Sequence, residues 1–355
     1  MFTLNKILFK KSSTSYFKKL TTGLNILVVL ASCCLLSSCL LNVEEPDVPE
    51  VYVAGYERST TAQTEDQATL WKNGSAIRLT DGTRQARAYA VTVSAGDVYV
   101  AGFERNGSNT PVAKYWKNGT AVSLTNGAWS SWATGIAIAG ADVYVSGYTT
   151  GFGSNVALVW KNGTAQELTD GTHEARVESM YVSETAVYVA GWEYNSSVPV
   201  AKYWKNGNEV LLSDGVVPSM AQSVVVSGED VYVSGSENGV ATVWKNGTAQ
   251  RIGTTGRSTV AFALALANND IHAVGGDRTD FDIPHYWKNG VQTTLPTSYP
   301  SVVRSIFLVD NKIYAAGGGW AGGGRSSAQI WENGTSVRLT GGSQDADAYS
   351  IYVTR

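Results

Sequence analysis

Trp71-Lys72-Asn73-Gly74 returns along the chain at residues 116–119, 160–163, 204–207, 244–247 and 287–290, and at 331–334 with Glu332 in place of the lysine. Successive tryptophans stand 45, 44, 44, 40, 43 and 44 residues apart. A period in that range marks a repeat architecture, in which each copy is one supersecondary unit that buries its apolar face only against its neighbours. Asn-Gly is the strongest short-range hairpin signal, because a type I′ turn needs positive φ at both central residues. Each copy is therefore expected to be the tip of a hairpin.

Working outward from Asn118-Gly119, Val112–Trp116 precedes the turn and Ala121–Leu124 follows it. Before them come Val98-Tyr99-Val100-Ala101-Gly102 and, across a Gly96-Asp97 turn, Ala90–Val93. All four runs are β-rich and none has a helical period. Seven units of four short strands predict an all-β, seven-bladed β-propeller of four-stranded antiparallel blades over residues 50–355. A β-solenoid is the alternative, but its coils are usually shorter and need not stop at seven. The chain is 43% hydrophobic and 16% charged, with 37 glycines and 8 prolines, which fits a β-rich globular protein with a sizeable core.

Aligned on the Leu79-Thr80-Asp81-Gly82 type of corner, the first strands of the units are 90–93, 135–138, 179–182, 223–226, 263–266, 306–309 and 350–353. One side is apolar (Val91, Ile136, Met180, Val224, Leu264, Phe307, Ile351). The other opens with a small residue in six of seven copies: Ala90, Gly135, Ser179, Ser223, Ala263 and Ser350. Small residues belong where blades crowd at an axis, so this is the innermost strand. Val51–Gly55 reads as a second strand and Tyr349–Val353 as a first one, so the C-terminal strand should join the N-terminal blade and close the ring. Closure removes the open edges that burden β proteins. The pattern Ala-Val-x-Val-x-x-Gly-Asp-Val-Tyr-Val-x-Gly resembles the strand 1–2 hairpin of bacterial seven-bladed β-propeller repeat proteins. The resemblance covers about a third of each unit. The Trp-Lys-Asn-Gly hairpin departs from that family, so the resemblance implies the fold and no functional residue.

The N-terminus reads differently. Lys6, Lys10, Lys11, Lys18 and Lys19 precede an apolar run from Leu24 to Leu36, then Leu36-Ser37-Ser38-Cys39. This looks like the lipobox of bacterial lipoproteins, which implies a signal peptide over 1–38, lipidation of Cys39 and a tether over 39–49 containing Glu44-Glu45-Pro46-Asp47-Val48-Pro49. Leu30-Ala31-Ser32-Cys33 fits the same pattern, and an uncleaved anchor is the further alternative, although the run is short for the ~20 residues a span needs. All three cysteines lie here, so the mature domain would hold neither disulfides nor Cys-bound metal. Loss of five lysines would leave 22 basic against 30 acidic residues, which argues against nucleic acid as a partner.

In a four-stranded meander, the 1–2 turns and Asn-Gly turns share one face, and the 2–3 loops and 4–1 corners share the other. The first set is short and uniform. The second varies, from long segments at 56–69 and 103–110 to a short one at 236–239, and function favours varied loops on a rigid scaffold. Seven of the eleven tryptophans belong to the repeat and read as inter-blade packing. Trp129, Trp132, Trp192 and Trp320 fall on the variable face, either as stacking platforms or as a plug for the channel mouth. Residues six past each corner position should approach the axis: Arg87, Trp132, Arg176, Met220, Val260, Val303 and Asp347. Two further on come Tyr89, Thr134, Glu178, Gln222, Phe262, Ser305 and Tyr349. One sector is thus polar and aromatic, the opposite one apolar. Tyr56-Glu57, Phe103-Glu104 and Trp192-Glu193, with Glu237 and Asp277 at equivalent places, read first as a structural device at strand ends.

The expected ligand-binding set is Arg87, Trp129, Trp132, Arg176, Glu178, Trp192, Trp320 and Tyr349, with a glycan, peptide or envelope protein as partner. The sequence points to no metal, no cofactor and no catalytic residue: His272 and His285 sit in strand positions, and only His173 falls in a loop. The expected protein is a monomeric, lipid-anchored module of the cell envelope, at the outer membrane. An envelope glycosidase or lyase using a carboxylate pair, Glu178 with Asp347, is the first alternative. A scaffold for an envelope complex is the second.

Overall fold

The computed structural model describes residues 48–58, 65–151, 153–277, 283–320 and 325–355; Cys33, Cys39 and the leader lie outside the described residues. Residues 48–355 form one compact unit of seven four-stranded antiparallel sheets. These are the blades of a seven-bladed β-propeller. Blades 1 to 6 cover residues 86–123, 131–167, 175–211, 219–251, 259–294 and 301–338. Blade 7 combines Ala346–Val353 as its innermost strand with Val51–Arg58, Asp66–Lys72 and Ser75–Arg78. The termini close the ring, as the sequence implies.

There is no single core. Seven apolar clusters lie between successive blades, and each contains one repeat tryptophan. Trp116 of blade 1, for instance, packs with Tyr52, Ala54 and Leu70 of blade 7. All seven indoles are exposed by 1% or less, and deleting such a side chain costs about 3–5 kcal/mol. The other three letters work at the turn. The asparagines have φ of 47–51° and the glycines about 80–83°, as a type I′ turn requires. The asparagine Oδ1 also accepts the first free N–H of the second strand, as in Val98 N to Asn118 Oδ1 at 2.9 Å. The lysine bridges to the aspartate of the 1–2 turn, Lys117 to Asp97 at 2.7 Å, and lies 5.2 Å from the Tyr99 ring centroid. The motif is thus structural throughout.

The innermost strands run further than the apolar runs imply, Ala86–Ser94 in blade 1, because each carries a β-bulge. The residue that drops out of register is Tyr89, Thr134, Glu178, Gln222, Phe262, Arg304 or Tyr349. A bulge inserts one residue and re-aims its side chain, and here all seven point to the axis. This corrects the reading of blade 6. Its corner is one residue shorter than the others, since six positions rather than seven separate Leu295 from the strand start at Ser301. The axial residues are therefore Val302 and Arg304, not Val303 and Ser305. Val303 is fully buried in the cluster between blades 5 and 6. The small residue of blade 6 is Ser305 and its apolar one Ile306, so the small-residue rule holds in all seven copies.

Candidate functional site at the channel mouth

The bulge residues ring a cavity of about 300 Å³, lined by Tyr89, Thr134, Tyr148, Arg176, Glu178, Gln222, Phe262, Arg304 and Tyr349. A narrower space of about 230 Å³ continues below it past Ala90, Gly135, Ser179, Ser223, Ala263, Ser305 and Ser350. The cavity opens at the strand ends that carry the 2–3 loops and 4–1 corners, and it is at the small end of the range usual for ligand sites.

Around half of this mouth the aromatic side chains form a continuous arc. Tyr56 meets Tyr349 at 6.2 Å, Tyr349 meets Tyr89 edge-on at 5.1 Å, and Tyr89 stacks on Phe103 at 5.9 Å. Phe103 meets Trp132 at 6.4 Å, and Trp132 stacks on Tyr148 at 5.0 Å. The Arg176 guanidinium lies 5.2 Å from Tyr148 and 5.7 Å from Trp192, whose ring meets Tyr194 at 5.7 Å. Such pairs contribute about 0.5–1.5 kcal/mol each beyond burial. The arc has a simple origin in sequence. The residue after the second-strand glycine is Tyr56, Phe103, Tyr148 and Trp192 in blades 7, 1, 2 and 3, but Ser236, Gly276 and Gly318 in blades 4, 5 and 6.

The charges are unequally engaged. Arg87 donates from Nε and Nη2 to Asp66 Oδ2 at 2.9 and 2.6 Å, and from Nη1 to the Tyr349 hydroxyl at 3.3 Å. Arg304 Nη2 donates to Asp347 Oδ2 at 2.7 Å. Arg176 has the weakest hydrogen bonding of the three. Its Nη2 reaches the half-exposed Glu174 at 3.3 Å, and its buried Nε has no hydrogen-bond partner among the described residues. Burial pushes the Glu178 carboxyl above the usual carboxylate range, against the pull of Arg176 and a hydrogen bond from Trp192. Burial likewise raises Asp347 despite Arg304, and it pushes the Tyr148 phenol up to about 12.

The structure brings together most of the expected site residues. Arg87, Trp132, Arg176, Glu178, Trp192 and Tyr349 belong to the mouth or its arc. Trp192 is only 6% exposed, so it supports Arg176 rather than offering a free platform. Trp132 is partly buried between Phe103 and Tyr148. Trp129 and Trp320 are 46% and 53% exposed and lie outside the cavity lining. Asp347 does not line the cavity with Glu178, because it is turned to Arg304. The acids at the strand ends pair with cations of the outer strands, Glu57 with Arg78, Glu104 with Lys114 and Glu193 with Lys202, as a structural device should. Two lining residues escaped the sequence reading. Arg304 was hidden by the short corner, and Tyr148 by requiring an acid after the aromatic, where the chain has Thr149. Counting from the second-strand glycine finds both, Tyr148 one residue after it and Arg304 thirteen before it.

No protein-family model matches the chain, and none of the curated proteins does. Solved structures resemble the chain at low identity. A puromycin-hydrolyzing peptidase of Mycobacterium tuberculosis matches at 10% identity over 81% of this chain and 53% of its own, with a TM-score of 0.55. TolB of Acinetobacter baumannii matches at 12% over 84% and 63%, with a TM-score of 0.47. The extracellular domain of a hybrid two-component system of B. thetaiotaomicron matches at 11% over 75% and 37%, with a TM-score of 0.46. The chain spans less than two thirds of each of these three proteins. At 10% identity the likeness to the peptidase concerns the fold alone.

Proposed function

We propose that this chain is a lipid-anchored β-propeller of the cell envelope that binds a glycan or peptide at the mouth formed by its variable loops. The observation that carries the reading is the coincidence of three things at one end of the ring: the cavity, the aromatic arc, and a guanidinium with unused donors. Aromatic faces beside a few convergent polar groups are the usual composition of a binding site. Gln222→Trp should fill the cavity without removing any contact described above. On glycan and peptide arrays it is expected to lose at least tenfold in binding while its melting temperature stays within about 2 °C of the parent, a shift worth less than about 1 kcal/mol. Unchanged binding by this variant would place the ligand elsewhere.

The envelope address rests on the leader sequence. Cys39→Ser is expected to abolish incorporation of labelled palmitate and to release the protein from membranes; labelling that persists would point to Cys33. The enzyme reading draws on the raised Glu178 carboxyl but loses its second carboxylate, since Asp347 is held by Arg304.

A further inference from the structure

We infer that the ligand carries a carboxylate on a hydroxylated ring, so that the mouth selects acidic sugars of the hexuronate type, with Arg176 as the carboxylate's partner. This rests on the proposed binding function and deepens it.

The argument is one of unmet groups. An arginine presents five donors in a fixed fork suited to a carboxylate. Arg87 has spent its fork on Asp66 and Tyr349, and Arg304 is tied to the buried Asp347. Arg176 has one long contact to Glu174 and a buried Nε with no partner among the described residues. The side chain as a whole is 41% exposed, so its Nη end is open to a ligand carboxylate at the cavity edge. Arg176 is also fixed in place by packing against Tyr148 and Trp192, so little side-chain entropy remains to be lost on binding.

The rest of the lining favours a sugar over a peptide terminus. Thr134, Gln222, Tyr89, Tyr148 and Glu178 surround one small space with hydroxyl, amide and carboxyl groups. A ring bearing several hydroxyls can pair with these together, whereas a peptide end would leave most of them dry. Phe262 and the tyrosines supply apolar faces for the ring's C–H groups. Glu178 is the one acid in the lining, and desolvation raises its pKa above the usual carboxylate value, which weakens its repulsion of an anion.

The test is titration calorimetry of the full-length protein in detergent with trigalacturonate, with trimers of glucuronate and mannuronate, and with the carboxyl-reduced form of each. One acidic trimer is expected to bind at least tenfold more tightly than its reduced form. Arg176→Gln should erase that preference while the protein stays folded by circular dichroism, and Arg176→Lys should keep part of it. Equal affinity for acidic and reduced forms overturns the selectivity and leaves glycan binding intact. A preference that survives Arg176→Gln overturns the assignment to this arginine. Binding confined to peptides overturns the acidic-sugar inference alone, and silence toward every glycan and peptide overturns it together with the proposed function.

Discussion

Gly102→Ala is expected to destabilise the propeller by about 3 kcal/mol or more, the upper range for forcing extra volume into a packed interior. A Cβ at this position would lie 2.0 Å from the Arg87 carbonyl oxygen and 3.0 Å from the Ala88 Cα. Both neighbours are backbone, so neither can swing away. The cause is the bulge at Tyr89, which pushes the carbonyl of the preceding turn of strand onto its neighbour. The same clash recurs at Gly55, Gly147, Gly191, Gly235, Gly275 and Gly317, at 1.8–2.0 Å from the corresponding carbonyls. None of these glycines has positive φ, so the requirement is close approach and not conformational freedom. Gly341→Ala is the control: its Cβ would meet nothing within 4 Å, and a change within about 0.5 kcal/mol is expected. Chemical denaturation of the two variants checks this. If they unfold at the same midpoint, the bulge relaxes freely and is not what positions the axial side chains.

The bulge also marks where sequence reading reached its limit. The blades were legible because Trp, Asn and Gly of Trp-Lys-Asn-Gly each have one structural duty, repeated seven times, and Asn-Gly names its turn outright. The ring closure was legible because strand type could be counted from both ends. The axial residues were legible only where the corners kept their length. A one-residue deletion before Ser301 moves the frame, and in a strand a shift of one residue exchanges the two faces. Val303 was read in place of Val302, and Ser305 in place of Arg304, in that way. The arc was half legible. Tyr56, Phe103 and Trp192 stood out beside acids, but the acids turned out to serve the outer strands, and Tyr148, which lacks one, lines the cavity itself. The engagement of the arginines was not legible at all. Arg87 and Arg176 occupy equivalent positions, and only the placement of Asp66 against the first separates a locked guanidinium from an available one.

Deleting residues 344–355 is expected to cost the most. The strand Ala346–Val353 pairs with Val51–Arg58 in a register running from Val51–Val353 to Glu57–Ala346. Its loss would strip Ala346, Ala348, Ile351 and Val353 from the cluster between blades 6 and 7, leaving Trp71 uncovered on one side. It would also free Arg58 from Asp345 and Arg304 from Asp347, and remove Tyr349 from the mouth. The strand Val51–Arg58, nearly all of it apolar or aromatic, would become an open edge, the template from which β proteins aggregate. The truncated protein should therefore elute as aggregates and be cut by protease under conditions where the full chain is resistant. Adding a synthetic peptide of residues 344–355 during refolding should restore a protease-resistant monomer, because the vacant edge accepts an extended segment by main-chain pairing. A truncated chain that stays monomeric and resistant without the peptide would mean that six complete blades hold the ring by themselves, and that the closing strand serves the mouth alone.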